Sequence, residues 1–442
     1  MALPDILGTD VVSLEEMMAE REQRAETQRR LLAASGGPLL CLSLNMAGPV
    51  KRFPLLLLAY REGRRMAEAA LRGASFRLLE ERLGRAGPCA FYQVDGLSPL
   101  AVKERLCAVE DGGPLGRLLD LDLLLADGRK LSRRETGRPP RRCLLCGEDA
   151  AVCGRSRRHS VEELQRETVR LMTAHFSAQW ADHVSAQALR AMLYEVSVTP
   201  KPGLVDRRNS GAHDDMDYFT FLDSAAALTP WFRRLCLLGF QSPEAEDPAL
   251  FSAAQALGRQ AEEAMCAATG GVNTHQGLIF SLGFLCLAAG QLYALRLPNG
   301  EAVPPSEEAL CQRAAALASC AEPPAGCAPG APLRGARGEA VKGFPSSRRW
   351  VLPALRQAED LEDGGRRALL ALIAHVEDAN LLRRGGPTAL EQTANRARQI
   401  LSSPAGDLRR SLESFDQELI QARLSPGGCA DLLAVGYFLF FL

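Results

Sequence analysis

Apolar positions recur along the chain with a period that changes once. Before Ser160, short apolar runs alternate with helix-like stretches: residues 38–44 form a compact apolar run, 54–71 are helical in composition, and 89–94 are aromatic and extended. Residues 118–125 read as a third strand, and the Asp127-Gly128 pair that follows supports the positive backbone angles of a tight hairpin turn. This mixture predicts an N-terminal α+β (or α/β) domain. From Ser160 onward, Trp180, Val184, Leu189, Met192, Leu193 and Val196 recur near helical spacing, and the same habit continues almost to the C-terminus. A multidomain chain is therefore expected, with residues 1–172 in the first domain and a nearly all-α second domain over 173–442.

Loops bearing Gly and Pro interrupt the second domain at residues 199–211, 269–277, 321–345 and 425–428. Functional groups gather on such loops because a rigid scaffold presents them. Residues 321–340, where Pro323, Pro324, Pro329 and Pro332 interleave with glycines, read as a mobile loop and not as a domain linker, with the part 321–332 expected to close as a lid.

At 442 residues the chain exceeds what one core usually organises, in keeping with two domains. Hydrophobic residues at 47%, charged residues at 24% and a net charge of -1 fit a soluble globular protein with no global attraction to nucleic acid. Any anionic ligand must then be held by local basic groups. Asp5, Asp10, Glu15 and Glu16 break the pattern of a secretory signal, so a cytoplasmic location is expected. The apolar patches 55–60 and 436–442 read as the longest and as too short to span a bilayer, so no membrane partner is expected. Of the 13 cysteines, Cys41, Cys236, Cys266 and Cys286 sit singly in apolar segments and read as small core residues.

Candidate chemistry in the first domain begins with Asp120 and Asp122, two apart on the expected strand, so that their carboxylates share one face and Leu119, Leu121 and Leu123 the other. Such a pair can hold a magnesium-type cation, or can be the polar side of a half-exposed strand. The segment from Ser43 to Arg52 leaves an apolar strand, turns at Gly48-Pro49 and places Lys51 and Arg52 before a helix, a geometry suited to phosphate. Cys143 and Cys146 form C-x2-C, with six residues to Cys153 and five more to His159, so three thiolates and one imidazole are spaced to hold zinc. The surrounding Arg141, Arg142, Arg155, Arg157 and Arg158 equally suit ligand phosphates, an acidic partner or plain solvent.

In the second domain, T-P-K-P-G-L-V-D fixes its backbone with two prolines around Lys201, a candidate phosphate cation. His213, Asp214, Asp215 and Asp217 crowd three carboxylates beside an imidazole, tolerable next to a polyphosphate only with divalent cations between them. One of these aspartates can instead cap the helix beginning near Tyr218. Gly270, Gly271 and Gly277 surround Asn273, Thr274 and His275, giving a backbone able to follow a nucleotide closely. Two further islands contain Lys342 and the stretch from His375 through Asp378 and Asn380 to Gly386, where His375 and Asp378 are expected on one helix face.

The ordered set S-L-N-M-A-G-P-V-K, G-R-L-L-D-L-D and R-R-C-L-L-C-G-E-D-A-A-V-C-G-R-S-R-R-H-S resembles the holo-citrate lyase synthase family, the phosphoribosyl-dephospho-CoA transferases, over residues 14–163. The resemblance implies Asn45, Lys51 and Arg117 as phosphate or prosthetic-group contacts and Asp120 and Asp122 as metal ligands. It also implies transfer of phosphoribosyl-dephospho-CoA to a serine of the citrate lyase acyl carrier subunit, with release of pyrophosphate. From residue 186 to 442, T-P-K-P-G-L-V-D, N-S-G-A-H-D-D-M-D, T-G-G-V-N-T-H-Q-G, E-A-V-K-G-F-P, D-A-N-L-L-R-R-G-G and S-P-G-G-C-A-D-L-L-A resemble the triphosphoribosyl-dephospho-CoA synthase family.

That second resemblance implies ATP as a triphosphoribosyl donor to 3'-dephospho-CoA, with adenine leaving. On chemical grounds Asp214, Asp215 and Asp217 are expected near magnesium or the ribosyl cation, Lys201 and Lys342 on phosphates, His213 or His275 in proton transfer, and Gly270, Gly271, Asn273, Asp378 and Asn380 at the substrate. Gln276, Ala379 and Cys429 stand where the family pattern has Lys, Thr and Ser. Alternatives stay open at this point: a second half that binds nucleotide without turnover, leaving only the first half active, and a carrier belonging to malonate decarboxylase.

Overall fold

The computed structural model describes residues 3–321, 335–402 and 408–442. The chain divides into two compact units, Met1–Ser177 with Arg296–Ala302, and Ala178–Leu295 with Val303–Leu442. Most of the glycine- and proline-rich stretch expected to be a mobile lid lies outside the described residues; its end forms the short helix Gly335–Ala340.

The first unit runs α1 (Leu14–Ser35), β1 (Leu39–Leu44), α2 (Pro54–Ala70), β2 (Ser75–Gly84), β3 (Gly87–Asp95), α3 (Pro99–Asp111), β4 (Leu119–Leu124) and β5 (Lys130–Leu131). Its sheet has the order β2-β3-β1-β4-β5 with every pairing antiparallel, which makes the unit α+β and not α/β. β1 is central because L-L-C-L-S-L buries both of its faces. Leu40, Leu42, Tyr92 and Leu121 pack with Tyr60 and Ala67 of α2 and with Val102 and Leu106 of α3; on the other face Leu39, Cys41 and Phe91 meet Leu31 and Leu32 of α1. A Cβ on Gly63 of α2 would lie 2.3 Å from Leu119, so only glycine lets this helix come so close to the sheet.

The strand β2 has no counterpart in the sequence reading. Its S-F-R-L-L-E-E-R-L-G lacks clean alternation, and the structure shows an edge strand with a register shift between Leu78 and Glu80 and largely exposed side chains.

The period change at Ser160 marks the start of α4 (Val161–Ser197). The Ser160 N–H donates to Glu163 at 2.8 Å and the Glu163 N–H to the Ser160 hydroxyl at 3.1 Å, a reciprocal cap.

In the second unit follow α5 (Tyr218–Gln241), α6 (Asp247–Ala268), α7 (Gln276–Arg296), α8 (Glu307–Ala318), α9 (Leu361–His375), α10 (Ala379–Ser402, broken at Gly386), α11 (Leu408–Gln421) and α12 (Gly427–Phe441). α7 and α12 are buried around most of their circumference. Glycines let α5 and α7 touch backbone to backbone: a Cβ on Gly290 would lie 1.9 Å from the Cys236 carbonyl, and one on Gly239 would lie 2.0 Å from that of Leu287.

The reading of apolar run lengths is corrected here. Gln276–Asn299, with a mean hydropathy of 1.9, is long and apolar enough to cross a bilayer by length and composition, and 78% of its apolar window is buried inside the protein. Ser281 and Gln291 interrupt the apolar run in the sequence, and both are buried too.

Candidate functional site

The site of the second unit is strung along one segment, residues 423–431, leading into α12. Arg423 Nη1 lies 3.3 Å from Asp214, and the Ser425 hydroxyl is 2.9 Å from His213 Nε2. Arg384 donates to the carbonyls of Ala212 and Arg423 at 3.1 and 3.3 Å. A Cβ on Gly427 would stand 2.6 Å from Asn380 Nδ2, and one on Gly428 would stand 2.9 Å from Asp378 Oδ2. The glycine pair is thus demanded by the close approach of the D-A-N turn. Asp378 Oδ2 accepts the Cys429 N–H at 2.8 Å while Oδ1 accepts those of Asn380 and Leu381 at 2.8 and 3.0 Å, so one buried carboxylate caps α10 and ties it to α12. Asp431 then reaches the start of α7, where a Cβ on Gly277 would lie 2.3 Å from its Oδ2 and 3.6 Å from Ala336 of the short helix Gly335–Ala340.

The T-P-K-P-G loop meets the same segment, since the Leu424 carbonyl would stand 2.4 Å from a Cβ on Gly203, whose φ is +69°. Two buried carboxylates hold that loop in shape. Asp206 accepts the Lys201, Arg208 and Asn209 N–H groups at 2.9, 2.6 and 3.2 Å, and Asp416 accepts the Gly203 N–H and the Asn209 amide, each at 2.9 Å. Lys201 points inward and forms a fully buried ion pair with Glu195.

Electrostatics follow from burial. Desolvation pushes Glu195 and Asp378 up, against Lys201 in the first case and against three backbone N–H groups in the second. Asp431 is raised well above the usual carboxylate range by burial and then by the neighbouring charges of Glu195 and Asp378. His275, buried with Nδ1 2.7 Å from the Ser224 hydroxyl, falls to about 3 through desolvation and the Lys201 charge, and its buried Nε2 has no partner. His213 is lowered by burial and by Arg384, against the pull of Asp215 and Asp214.

Lys201, His213, Asp214, Asp215, His275, Asp378 and Asn380 are therefore built on loops that converge on one segment. Other expected residues have different duties. Asp217 is the N-cap of α5, with its Oδ1 accepting the Thr220 N–H at 2.9 Å. Asn273 caps α7 by accepting the Gln276 N–H at 3.2 Å, and its amide donates to the Gln276 side chain at 2.8 Å. Gly270 and Gly271 are exposed with positive φ and open space where side chains would go, and Lys342 is exposed just beyond Glu339. The shared face expected for His375 and Asp378 does not exist: α9 ends at the exposed His375, which stacks on Trp350 at 4.2 Å, and Asp378 begins the next helix.

In the first unit Asp120 and Asp122 lie on one face of β4, opposite Ser43 and Cys41 of β1, while Leu119, Leu121 and Leu123 are buried on the other. Lys130 Nζ is 2.5 Å from Asp122. Burial first and the Asp120 charge second still raise Asp122. Lys51 donates to the Met46 carbonyl, and burial with the Arg21 charge lowers its pKa. The Asn45 N–H reaches the Leu118 carbonyl at 2.8 Å and its side chain is exposed, and Arg117 donates to the Cys143 carbonyl at 2.9 Å.

Residues 12–175 match the family of apo-citrate lyase phosphoribosyl-dephospho-CoA transferases, and residues 181–321 and 329–442 match that of ATP:dephospho-CoA triphosphoribosyl transferases. The CitXG protein of Haemophilus influenzae is 33% identical over 97% of this chain and 96% of its own length. That of Leuconostoc mesenteroides is 31% identical over 98% and 97%. The chain belongs to the CitXG family. A 2-(5''-triphosphoribosyl)-3'-dephosphocoenzyme-A synthase of Haemophilus ducreyi is 38% identical over 66% of this chain and 98% of its own length. As a CitXG member the chain is a transferase with two activities in the biosynthesis of the citrate lyase prosthetic group.

Against this CitXG framework, several residues of the sites were missed from sequence. Glu195 and Asp431 each stand as a lone acid in an apolar stretch, A-M-L-Y-E-V-S-V and C-A-D-L-L-A, and that isolation was the available signal. Arg21 and Arg24 gave none, because α1 is charged all round and reads as a solvated helix. Arg24 nonetheless lies close enough to Cys41 for its charge to oppose that of Asp122 on the thiol.

Proposed function

We propose that the second unit makes 2'-(5-triphosphoribosyl)-3'-dephospho-CoA from ATP and 3'-dephospho-CoA, releasing adenine. The first unit then transfers the phosphoribosyl-dephospho-CoA unit to a serine of the citrate lyase acyl carrier protein, releasing pyrophosphate. The observation that carries this reading is the convergence of T-P-K-P-G, N-S-G-A-H-D-D, T-H-Q-G, D-A-N and S-P-G-G on one segment of a chain that matches both families in order.

In the first reaction the C1'–O bond to the dephospho-CoA ribose forms as the C1'–N9 bond of ATP breaks, and the hydroxyl proton ends on adenine. Positive charge develops on the donor ribose. The half-buried Asp431, with Asp378 and Glu195 beside it, supports stabilisation of that charge in a water-poor setting. In its ionised form Asp431 is the group we assign to receive the hydroxyl proton and pass it to the departing adenine. His275 is neutral at any physiological pH, which restricts it to hydrogen bonding through its free Nε2. His213, half-buried beside the exposed Asp214 and Asp215, is the proton carrier of the pair.

Magnesium fits two places by donor chemistry. Asp214 and Asp215 are adjacent exposed carboxylates, and Asp120 and Asp122 are half-buried carboxylates whose mutual repulsion a divalent cation would relieve. The ion would supply charge neutralisation for triphosphate in one unit and for departing pyrophosphate in the other. Lys51, Asn45 and Arg117 of the first unit are assigned to the phosphates of the incoming nucleotide. Chromatographic detection of adenine from ATP, magnesium and 3'-dephospho-CoA tests the first step. Adenine in stoichiometric yield is expected, and its absence from folded protein would reduce the second unit to a nucleotide-binding module.

A further inference from the structure

We propose that Cys143, Cys146, Cys153 and His159 form a structural zinc site in the first unit, independent of either transfer reaction. Their ligand atoms all lie within 4.8 Å of one another. Zinc bonds of about 2.3 Å to sulfur and about 2.0 Å to nitrogen place tetrahedral ligands roughly 3.5–3.8 Å apart, so the set closes on an ion with shifts of about an ångström or less.

Features beyond proximity point to a metal. Cys143 precedes and Cys146 ends a tight turn at residues 144–146. The turn that aims them is closed by the Cys143 N–H donating to the Glu148 carbonyl at 2.6 Å and by Gly147 at φ +73°. Cys146 and Cys153 bring their sulfurs to 3.3 Å as free thiols, too far apart for a disulfide and close enough to share an ion. His159 Nε2 is buried without a hydrogen-bond partner, and such a nitrogen is a ligand in search of an acceptor site.

Folding logic agrees. Between residues 138 and 160 only Cys143 and Cys153 are buried, while Leu145 and Val152 are 39% and 53% exposed. A segment with so little apolar burial cannot order itself by the hydrophobic effect, and a metal is the usual substitute in small folded pieces. The ion would tie the 143–147 turn, the short helix Ala150–Ser156 and the residue before the cap of α4 into one knot. Arg117, through the Cys143 carbonyl, and Arg141, through that of Leu119, fasten the knot to the start of β4, the strand of Asp120 and Asp122.

Elemental analysis and zinc-edge X-ray absorption of the full chain, purified without added chelator, test the site. About one zinc per chain is expected, with three sulfur neighbours at about 2.3 Å and one nitrogen. Cys153→Ser and His159→Ala should each lower zinc to a small fraction of an equivalent, while Cys320→Ser, outside the cluster, keeps it. Metal-free protein from zinc-supplemented growth, a first shell without sulfur, or a Cys146 to Cys153 disulfide found by peptide mapping would overturn the proposal. Should a ligand variant fail to fold, the absorption spectrum of the unaltered chain still decides.

Discussion

The carboxylate of Asp378 accepts the backbone N–H of Cys429 at 2.8 Å, locking the start of α10 to the start of α12. Around that bond the separate loops of the second unit acquire fixed positions.

Replacing Asp378 with Asn keeps the size but exchanges one acceptor oxygen for a donor, leaving a buried N–H of Cys429 or of α10 unpaired. A loss of about 1–3 kcal/mol in stability is expected. Adenine release should fall by at least tenfold even where the variant is folded. Urea unfolding and adenine assays side by side check both; an unchanged assay would remove Asp378 from the site.

Asp214→Ala and Asp215→Ala should abolish adenine release yet leave loading of the carrier from preformed triphosphoribosyl-dephospho-CoA intact, because the loop belongs only to the second unit. Asp217→Ala should instead lower stability slightly through its lost cap and retain most of the activity. If Asp217 proves as damaging to turnover as its neighbours, the division of labour in this loop is wrong.

Asp120→Asn or Asp122→Asn should have the converse effect, removing most transfer to the carrier with adenine release unaffected. Magnesium titration of the transfer step gives an independent reading: the apparent affinity for the ion should weaken in both variants. Identical titrations in the variants and the parent chain would contradict the metal assignment.

His275 makes stability depend on pH. Its folded pKa, lowered from 6.5 to about 3, means that the unfolded chain takes up a proton between those values while the folded chain does not. Stability contributed by the neutral ring is present above pH 6.5 and is lost as pH falls towards 3, by an amount on the order of 4 kcal/mol. His275→Gln should flatten that part of the curve; a slope unchanged by the substitution would mean that other groups cause it.

Much of this architecture was legible in advance, for identifiable reasons. β1 and β3 announced themselves through runs buried on both faces, and α4 through its periodicity, whereas α7 and α12 are apolar all round. β2 was hidden because an edge strand needs charge on both sides more than it needs alternation. Loop motifs pointed to His213, Lys201 and Asp378 because glycine and proline mark places where backbone and ligand are constrained. The inward turn of Lys201 onto Glu195 was not legible, since nothing local tells a buried lysine from an exposed one. Nor was the role of the glycines at 277, 427 and 428, which make room for carboxylate and amide groups distant in sequence.

The central claim is that one chain both builds the prosthetic-group precursor and attaches it. Intact-mass measurement of apo-citrate lyase acyl carrier protein, after incubation with this chain, ATP, magnesium and 3'-dephospho-CoA, tests it most directly. The account expects a single mass increase equal to phosphoribosyl-dephospho-CoA, absent when ATP is omitted and restored by preformed triphosphoribosyl-dephospho-CoA. A carrier that stays unmodified with ATP and dephospho-CoA, yet is loaded from the preformed compound, would contradict the claim by leaving this chain with only the attachment step.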